Sequence, residues 1–172
     1  MTPHILSVPT PTVPLAVVLE PETGVLLGTS LFGADDILGR LGLAPDDVVA
    51  DDGTSSPAVT GVVDAFARYA AGEVTALEEL EVRQPGGPFT QRAWEAMRKV
   101  RGVATYAELA AAAGSPSAHR AAGRACAVNV IPVVVPCHRI VTSDRTLGGY
   151  YFGLDHKRAL LEHEGLLDQV RG

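Results

Sequence analysis

The chain has 172 residues, 47% of them hydrophobic and 20% charged, with a formal net charge of −6 at pH 7; that is enough apolar material for one large domain or two small ones. The N-terminus lacks a basic patch followed by an apolar segment, and no apolar run approaches the roughly 20 residues a membrane-spanning helix needs, which excludes a helical membrane protein and leaves the cytoplasm as the expected location. Two cysteines, Cys126 and Cys137, exclude a disulfide scaffold, and no Cys/His grouping has metal-ligand spacing, so reduced thiols and no structural zinc are expected.

In chain order, residues 15–19 and 25–27 are apolar runs joined by Pro21-Glu22-Thr23-Gly24, the pattern of a hairpin. Residues 34–43 place Ile37, Leu38 and Leu41 at helical spacing, and residues 45–57, rich in Asp, Ser and Pro, predict a loop. From 58 to 71 the positions Val62, Val63, Phe66 and Tyr69 recur every three or four residues, an amphipathic helix with Gly72 as its C-cap. Leu77, Leu80 and Val82 predict a further strand, and Gln84-Pro85-Gly86-Gly87-Pro88 reads as a linker. The fold class is therefore α+β: a small N-terminal α/β domain with an antiparallel sheet over residues 1–83, followed by a mainly helical domain over 84–172.

Beyond the linker, Phe89, Ala93, Trp94 and Met97 share one helical face. Thr105-Tyr106-Ala107-Glu108 forms a capping box that opens a second helix ending at Gly114. Ser115 and Pro116 have the types expected at an N-cap and first helical position, predicting a third helix from Ser117 to about Ala127 and hence a helix-turn-helix. In that helix His119, Arg120 and Arg124 stand among alanines and a glycine; the small residues suit close packing on another helix, while Arg120 and Arg124, four apart on one face, suit phosphates.

Charge is unevenly distributed. Residues 1–82 carry two arginines against thirteen carboxylates, a net −11, whereas residues 83–145 carry nine basic against three acidic groups, a net +6. Either the second part meets a polyanion, or the two parts attract one another.

The densest chemistry lies where the apolar run Ile131-Pro132-Val133-Val134-Val135 ends in Pro136-Cys137-His138-Arg139 and resumes as Ile140-Val141. A thiol, an imidazole and a guanidinium inside a buried strand or loop would each cost several kcal/mol without partners, so they point to an activated cysteine. His163 and Glu164 add a second acid/base pair on the helix beginning near Lys157. Cys126 lacks such neighbours and reads as a small core hydrophobe.

Asn129, the run from Ile131 through Pro136-Cys137-His138-Arg139 to Val141, the stretch Gly148-Gly149-Tyr150 through Gly153-Leu154, Lys157, and Leu160-Leu161-Glu162-His163-Glu164-Gly165 together resemble the O6-alkylguanine-DNA alkyltransferases. The resemblance runs from about Phe89 to Gly165, takes in the Tyr106 and Arg120 helices, and is looser in the first domain. It implies that Cys137 accepts an alkyl group from O6 of guanine as a thioether, consuming the protein in one turnover. It implies that His138 deprotonates the thiol through a water, that Glu164 orients the imidazole, that Tyr106 donates toward the leaving guanine, and that Asn129 holds the turn beside the cysteine. Arg120, Arg124, Tyr106, Ser117 and Ala121 would contact DNA in its minor groove, with Arg120 replacing the extruded base. Val135, Pro136, Tyr150, Tyr151 and Phe152 would border the substrate. The implied partner is double-stranded DNA containing alkylated guanine, met by a monomer with no cofactor, metal or membrane.

Three features depart from the family pattern. Tyr150-Tyr151-Phe152-Gly153 puts two aromatic rings where a small residue and a glycine are usual, Val128 and Val130 flank Asn129 where glycine and proline are common, and the connection from Val100 to Ala104 is short. Two other function classes therefore stay open at this point: a DNA-damage-sensing module without repair, which the presence of Cys137 disfavours, and a cysteine acceptor for a small molecule, which Tyr151 and Phe152 favour.

Overall fold

The first strand is one that periodicity does not announce. In the computed structural model, which describes all 172 residues, β1 (His4–Val8) pairs antiparallel with β2 (Leu15–Leu19), and β2 pairs antiparallel with β3 (Leu26–Ser30). Prolines on both sides confine β1 to five residues, too few for its alternation to register. β2 is buried on both faces, which explains its unbroken apolar run. The sheet order is β3-β2-β1-β4, where β4 (Val49–Ala50) adds parallel to β1 from within residues 45–57, so that segment is not wholly loop; its exposed, two-residue strand carries no hydrophobic signal.

Helix α1 (Ala34–Leu41) ends at Gly42 in the left-handed region, φ 70°. It lies close over β3, because a Cβ placed on Gly28 would fall 2.6 Å from Ile37 Cδ1. Helix α2 (Pro57–Ala70) starts one residue before the periodic run, since Ser56 caps it by accepting from Val59 N and Pro57 takes the first position; its C-cap is Ala71, with Gly72 one residue beyond. The strand expected at Leu77, Leu80 and Val82 is corrected: Ala76–Glu79 is a 3₁₀ turn that buries Leu77, and Val82 meets the sheet through one isolated bridge to Leu26. Leu77 and Leu80 are three residues apart, a spacing that fits a tight helical turn and not a two-residue alternation.

Backbone contacts divide the chain into Met1–Gln84 and Pro85–Gly172. The second unit contains α3 (Pro88–Lys99), α4 (Tyr106–Ala112), α5 (His119–Val128) and α6 (Leu154–His163), with β5 (Ala104–Thr105) and β6 (Ile140–Val141) forming a two-residue parallel pair. Mixed α and β content is the observed class. α3, α4 and α5 pack together around Ala93, Trp94, Met97 and Ala122, and the Trp94 indole donates to Ala125 O at 2.9 Å. The capping box forms, Thr105 N donating to Glu108 and Glu108 N to Thr105.

The start of α5 differs from expectation. Ser115 and Pro116 make a turn closed by Ala118 N donating to Ser115 O, and the helix begins at His119 with Ala118 as N-cap. Proline at the second position of a turn needs the same φ as at the first position of a helix, so the sequence signal serves both. Residues 131–135 are turn, not strand. No helix is long and apolar enough to cross a membrane.

Candidate active site

The turn that carries Cys137 is built on Asn129, which follows the last residue of α5. Its Oδ1 accepts from Ile131 N at 3.1 Å, while its Nδ2 donates to Val135 O at 2.9 Å and to Cys137 Sγ at 3.3 Å. Between these anchors the chain folds tightly: Val135 N donates to Ile131 O, and Val133 is held at φ 74°, a costly conformation for a β-branched residue, of order 1–3 kcal/mol. Pro136, at φ −82° and ψ 65°, sits in an inverse γ-turn closed by Cys137 N donating to Val135 O at 2.8 Å. Cys137–Arg139 then forms a 3₁₀ turn that buries both Cys137 and His138.

His138 is wholly buried, and its Nε2 lies 2.8 Å from Glu164 Oε2. The other Glu164 oxygen accepts from Arg139 Nε at 2.7 Å, and Arg139 Nη1 donates to Val100 O at 2.8 Å. Burial alone would raise the Glu164 carboxyl, but the charge and hydrogen bond of His138, joined by those of Arg139, hold it at about 2. A carboxylate can only accept from Nε2–H, so in the neutral ring that bond selects the tautomer whose lone pair lies on Nδ1. That nitrogen is buried and makes no hydrogen bond within the protein, which suits a base.

Tyr106 opens α4, half-buried. Its ring passes Gly123 of α5, where an added Cβ would lie 3.9 Å from Cδ1, and its hydroxyl lies 3.7 Å from the Cβ position of Gly148. Burial first, and then the nearness of Cys126 and Cys137, push its phenol up to about 12. Cys126 is partly exposed as a residue, and desolvation pushes its thiol upward, in keeping with an inert side chain.

Of the residues singled out from the sequence, Asn129 bonds to Cys137 and Glu164 to His138, and Cys137 and His138 adjoin in the chain. Arg120, Arg124 and Ser117 are exposed at and just before α5, with Ala121 half-buried. Val135, Pro136 and Phe152 are buried, Tyr150 is half-buried, and Tyr151 is 52% exposed. The three consecutive aromatic rings meet edge to face, Tyr150 on Phe152 at 5.6 Å and Tyr151 on Phe152 at 4.9 Å.

The chain is similar to several known proteins. A family model described as the 6-O-methylguanine DNA methyltransferase, DNA binding domain, matches residues 88–166. The methylated-DNA–protein-cysteine methyltransferase of Salmonella typhimurium is 42% identical over 109 residues, 62% of this chain and 64% of the relative, so the match spans just under two thirds of that protein. The protein of the same name from Mycolicibacterium paratuberculosis is 41% identical over 115 residues, 64% of this chain and 68% of the relative. A crystal structure of Mycobacterium tuberculosis OGT in complex with DNA superposes with a TM-score of 0.75 at 30% identity, covering 98% of this chain and 96% of the other. The chain belongs to the methylated-DNA–protein-cysteine methyltransferase family. An archaeal O6-methylguanine-DNA methyltransferase from Pyrococcus kodakaraensis is also similar, with a TM-score of 0.68 at 25% identity over 95% of this chain and 99% of that one.

Two further residues of this family member, outside the site residues expected from the sequence, bond to this region. Arg139 was noted only as part of the motif, yet it shares Glu164 with His138. Lys157, wholly buried on α6, donates to Ile140 O at 2.7 Å, to Gly149 O at 3.1 Å and to Leu147 O. It thereby ties the loop before Tyr150 to the strand that follows the acceptor turn. Burial lowers its pKa, against the opposing influence of Cys137 and Cys126. The signal was present: residues 157, 160, 161 and 164 lie at helical spacing and are all buried, so a lysine and a glutamate on an otherwise apolar face called for buried partners.

Proposed function

We propose that this protein repairs DNA by transferring an alkyl group from O6 of a guanine to its own Cys137, once per molecule and without a cofactor. The observation that carries this reading is the chain of contacts behind the thiol: a low-pKa Glu164 carboxylate on His138 Nε2, and an unbonded Nδ1 on the residue next to Cys137. His138 takes the thiol proton through a water, the thiolate attacks the alkyl carbon, and the C–S bond forms as the C–O6 bond breaks. The electron pair passes to guanine. Tyr106, whose phenol keeps its proton at any physiological pH, donates it toward the purine and draws off the developing charge. Asn129 holds the acceptor turn, while Val135, Pro136, Tyr150, Tyr151 and Phe152 border the alkyl group.

The partner is double-stranded DNA containing alkylated guanine, bound by a monomer in the cytoplasm. The O6 alkyl carbon is out of reach of Cys137 while the base is stacked, so the base is extruded, which costs a few kcal/mol and less where pairing is already impaired. In this reading α4 and α5 act as a helix-turn-helix with α5 in the minor groove, where Ala121 and Gly123 allow close approach, Ser117 and Arg124 meet the backbone, and Arg120 fills the space left by the base. Exposure of both arginines and the net +6 of residues 83–145 support it.

The test is intact-mass measurement after incubation with an oligonucleotide containing O6-methylguanine. The protein should gain the mass of one CH₂, located on Cys137. Lesion binding with no gain would make it a sensor, and a gain only from free O6-alkylated bases, without DNA affinity, would make it a small-molecule acceptor.

A further inference from the structure

The segment that delivers Tyr106 to the site is short. Among the bonds that tie Val100 to Thr105 to distant parts of the chain, Val100 O accepts from Arg139, Ala104 and Thr105 pair with Ile140 and Val141, and Val103 N donates to Gln169 Oε1 at 3.1 Å. The last bond reaches across 66 residues from the 3₁₀ turn Leu167–Gln169. Gly102 is shaped to receive it, since any Cβ there would stand 2.5 Å from the same Gln169 oxygen. Beneath the bond, Val103 joins Val141, Leu147, Leu161 and Leu166 in one apolar cluster, against which Leu167 and Val170 pack.

The same C-terminal stretch also holds the opposite side of the tyrosine. Arg171 N donates to Arg145 O at 2.8 Å and Arg171 bridges Thr146, at the turn leading into Leu147 and Gly148. Gly148 is the residue facing the Tyr106 hydroxyl. Residues 167–171 thus grip both the strand entering α4 and the loop its first side chain points toward.

We infer that Gln169 is a positioning residue for alkyl transfer, setting the place of the Tyr106 hydroxyl through Val103 and Gly102; this rests on the reading of Tyr106 as donor to the leaving guanine. The capping box fixes where α4 begins, and the Gln169 bond fixes Val103 in the short connection just before it.

The experiment is a double-mutant cycle read by single-turnover transfer rates at saturating O6-methylguanine duplex. Gln169→Leu should slow transfer about 3- to 10-fold, the worth of one hydrogen bond, with DNA affinity unchanged, and Gln169→Glu, which keeps an acceptor, should restore most of the rate. In a Tyr106→Phe background Gln169→Leu should have no further effect. Equal slowing in both backgrounds, or a full rate in Gln169→Leu, overturns the inference. If the wild-type protein transfers no alkyl group, the functional reading fails separately, and the positioning role is then judged by ¹³C NMR of the Tyr106 phenol carbon. Gln169→Leu should move that resonance toward the exposed-tyrosine value, and an unmoved resonance refutes it.

Discussion

Replacing Glu164 by glutamine tests the site at its most constrained point. The carboxylate accepts from two donors, His138 at 2.8 Å and Arg139 at 2.7 Å. A glutamine has one acceptor oxygen and one amide that only donates. If its oxygen serves Arg139, its NH₂ faces His138 Nε2, which must then accept, and the ring proton moves to Nδ1; the base for Cys137 is lost. If its oxygen serves His138, two donors confront each other in a buried space. General-base contributions are typically 10²–10⁴-fold, so Glu164→Gln should slow transfer by roughly 100- to 10,000-fold. Stability should fall as well. A carboxyl lowered from 4.5 to about 2 on folding favours the native state by about 3 kcal/mol near neutral pH. The shift is downward, so this contribution is complete above the unfolded value of 4.5 and is lost as pH falls towards 2. Urea unfolding across that range should therefore show a wild-type advantage near neutrality that closes on acidification, alongside intact-mass time courses for the rate. A variant rate within threefold of wild type, or a stability gap that does not change with pH, would refute the argument.

Other substitutions probe separate links. Cys137→Ala should abolish transfer while leaving lesion-duplex affinity intact in a gel-shift titration, because the arginines of α5 that the reading places on the DNA are unchanged. Arg120→Ala should slow reaction with duplex at least tenfold more than reaction with free O6-benzylguanine, the comparison that separates base extrusion from chemistry. In the N-terminal unit, Gly28→Ala would drive a methyl to 2.6 Å from Ile37 Cδ1; overpacking of this kind costs about 1–3 kcal/mol, seen as a lower thermal midpoint.

Much of the local architecture was legible because its causes lie within a few residues. α2 follows from Val62, Phe66 and Tyr69 at helical spacing, and α4 starts where Thr105 and Glu108 satisfy each other's backbone. The acceptor motif stood out because three polar groups interrupt an apolar run. Elements whose cause is weak or distant leave little trace: β1 is only five residues long, β4 exists through pairing with β1 from far along the chain, and Pro116 satisfies a turn as well as a helix start.

Sequence alone therefore determined the candidates for the chemistry, since a thiol beside an imidazole within apolar residues points to an activated cysteine. Tertiary structure decided how those atoms are tuned. Glu164 reaches His138 across 26 residues, Arg139 joins Val100 across 39, and Lys157 meets Ile140 across 17. Such hydrogen bonds depend on distance and direction at the scale of an ångström, and only the packing of α6 and of the end of α3 against the Cys137 turn and β6 supplies them.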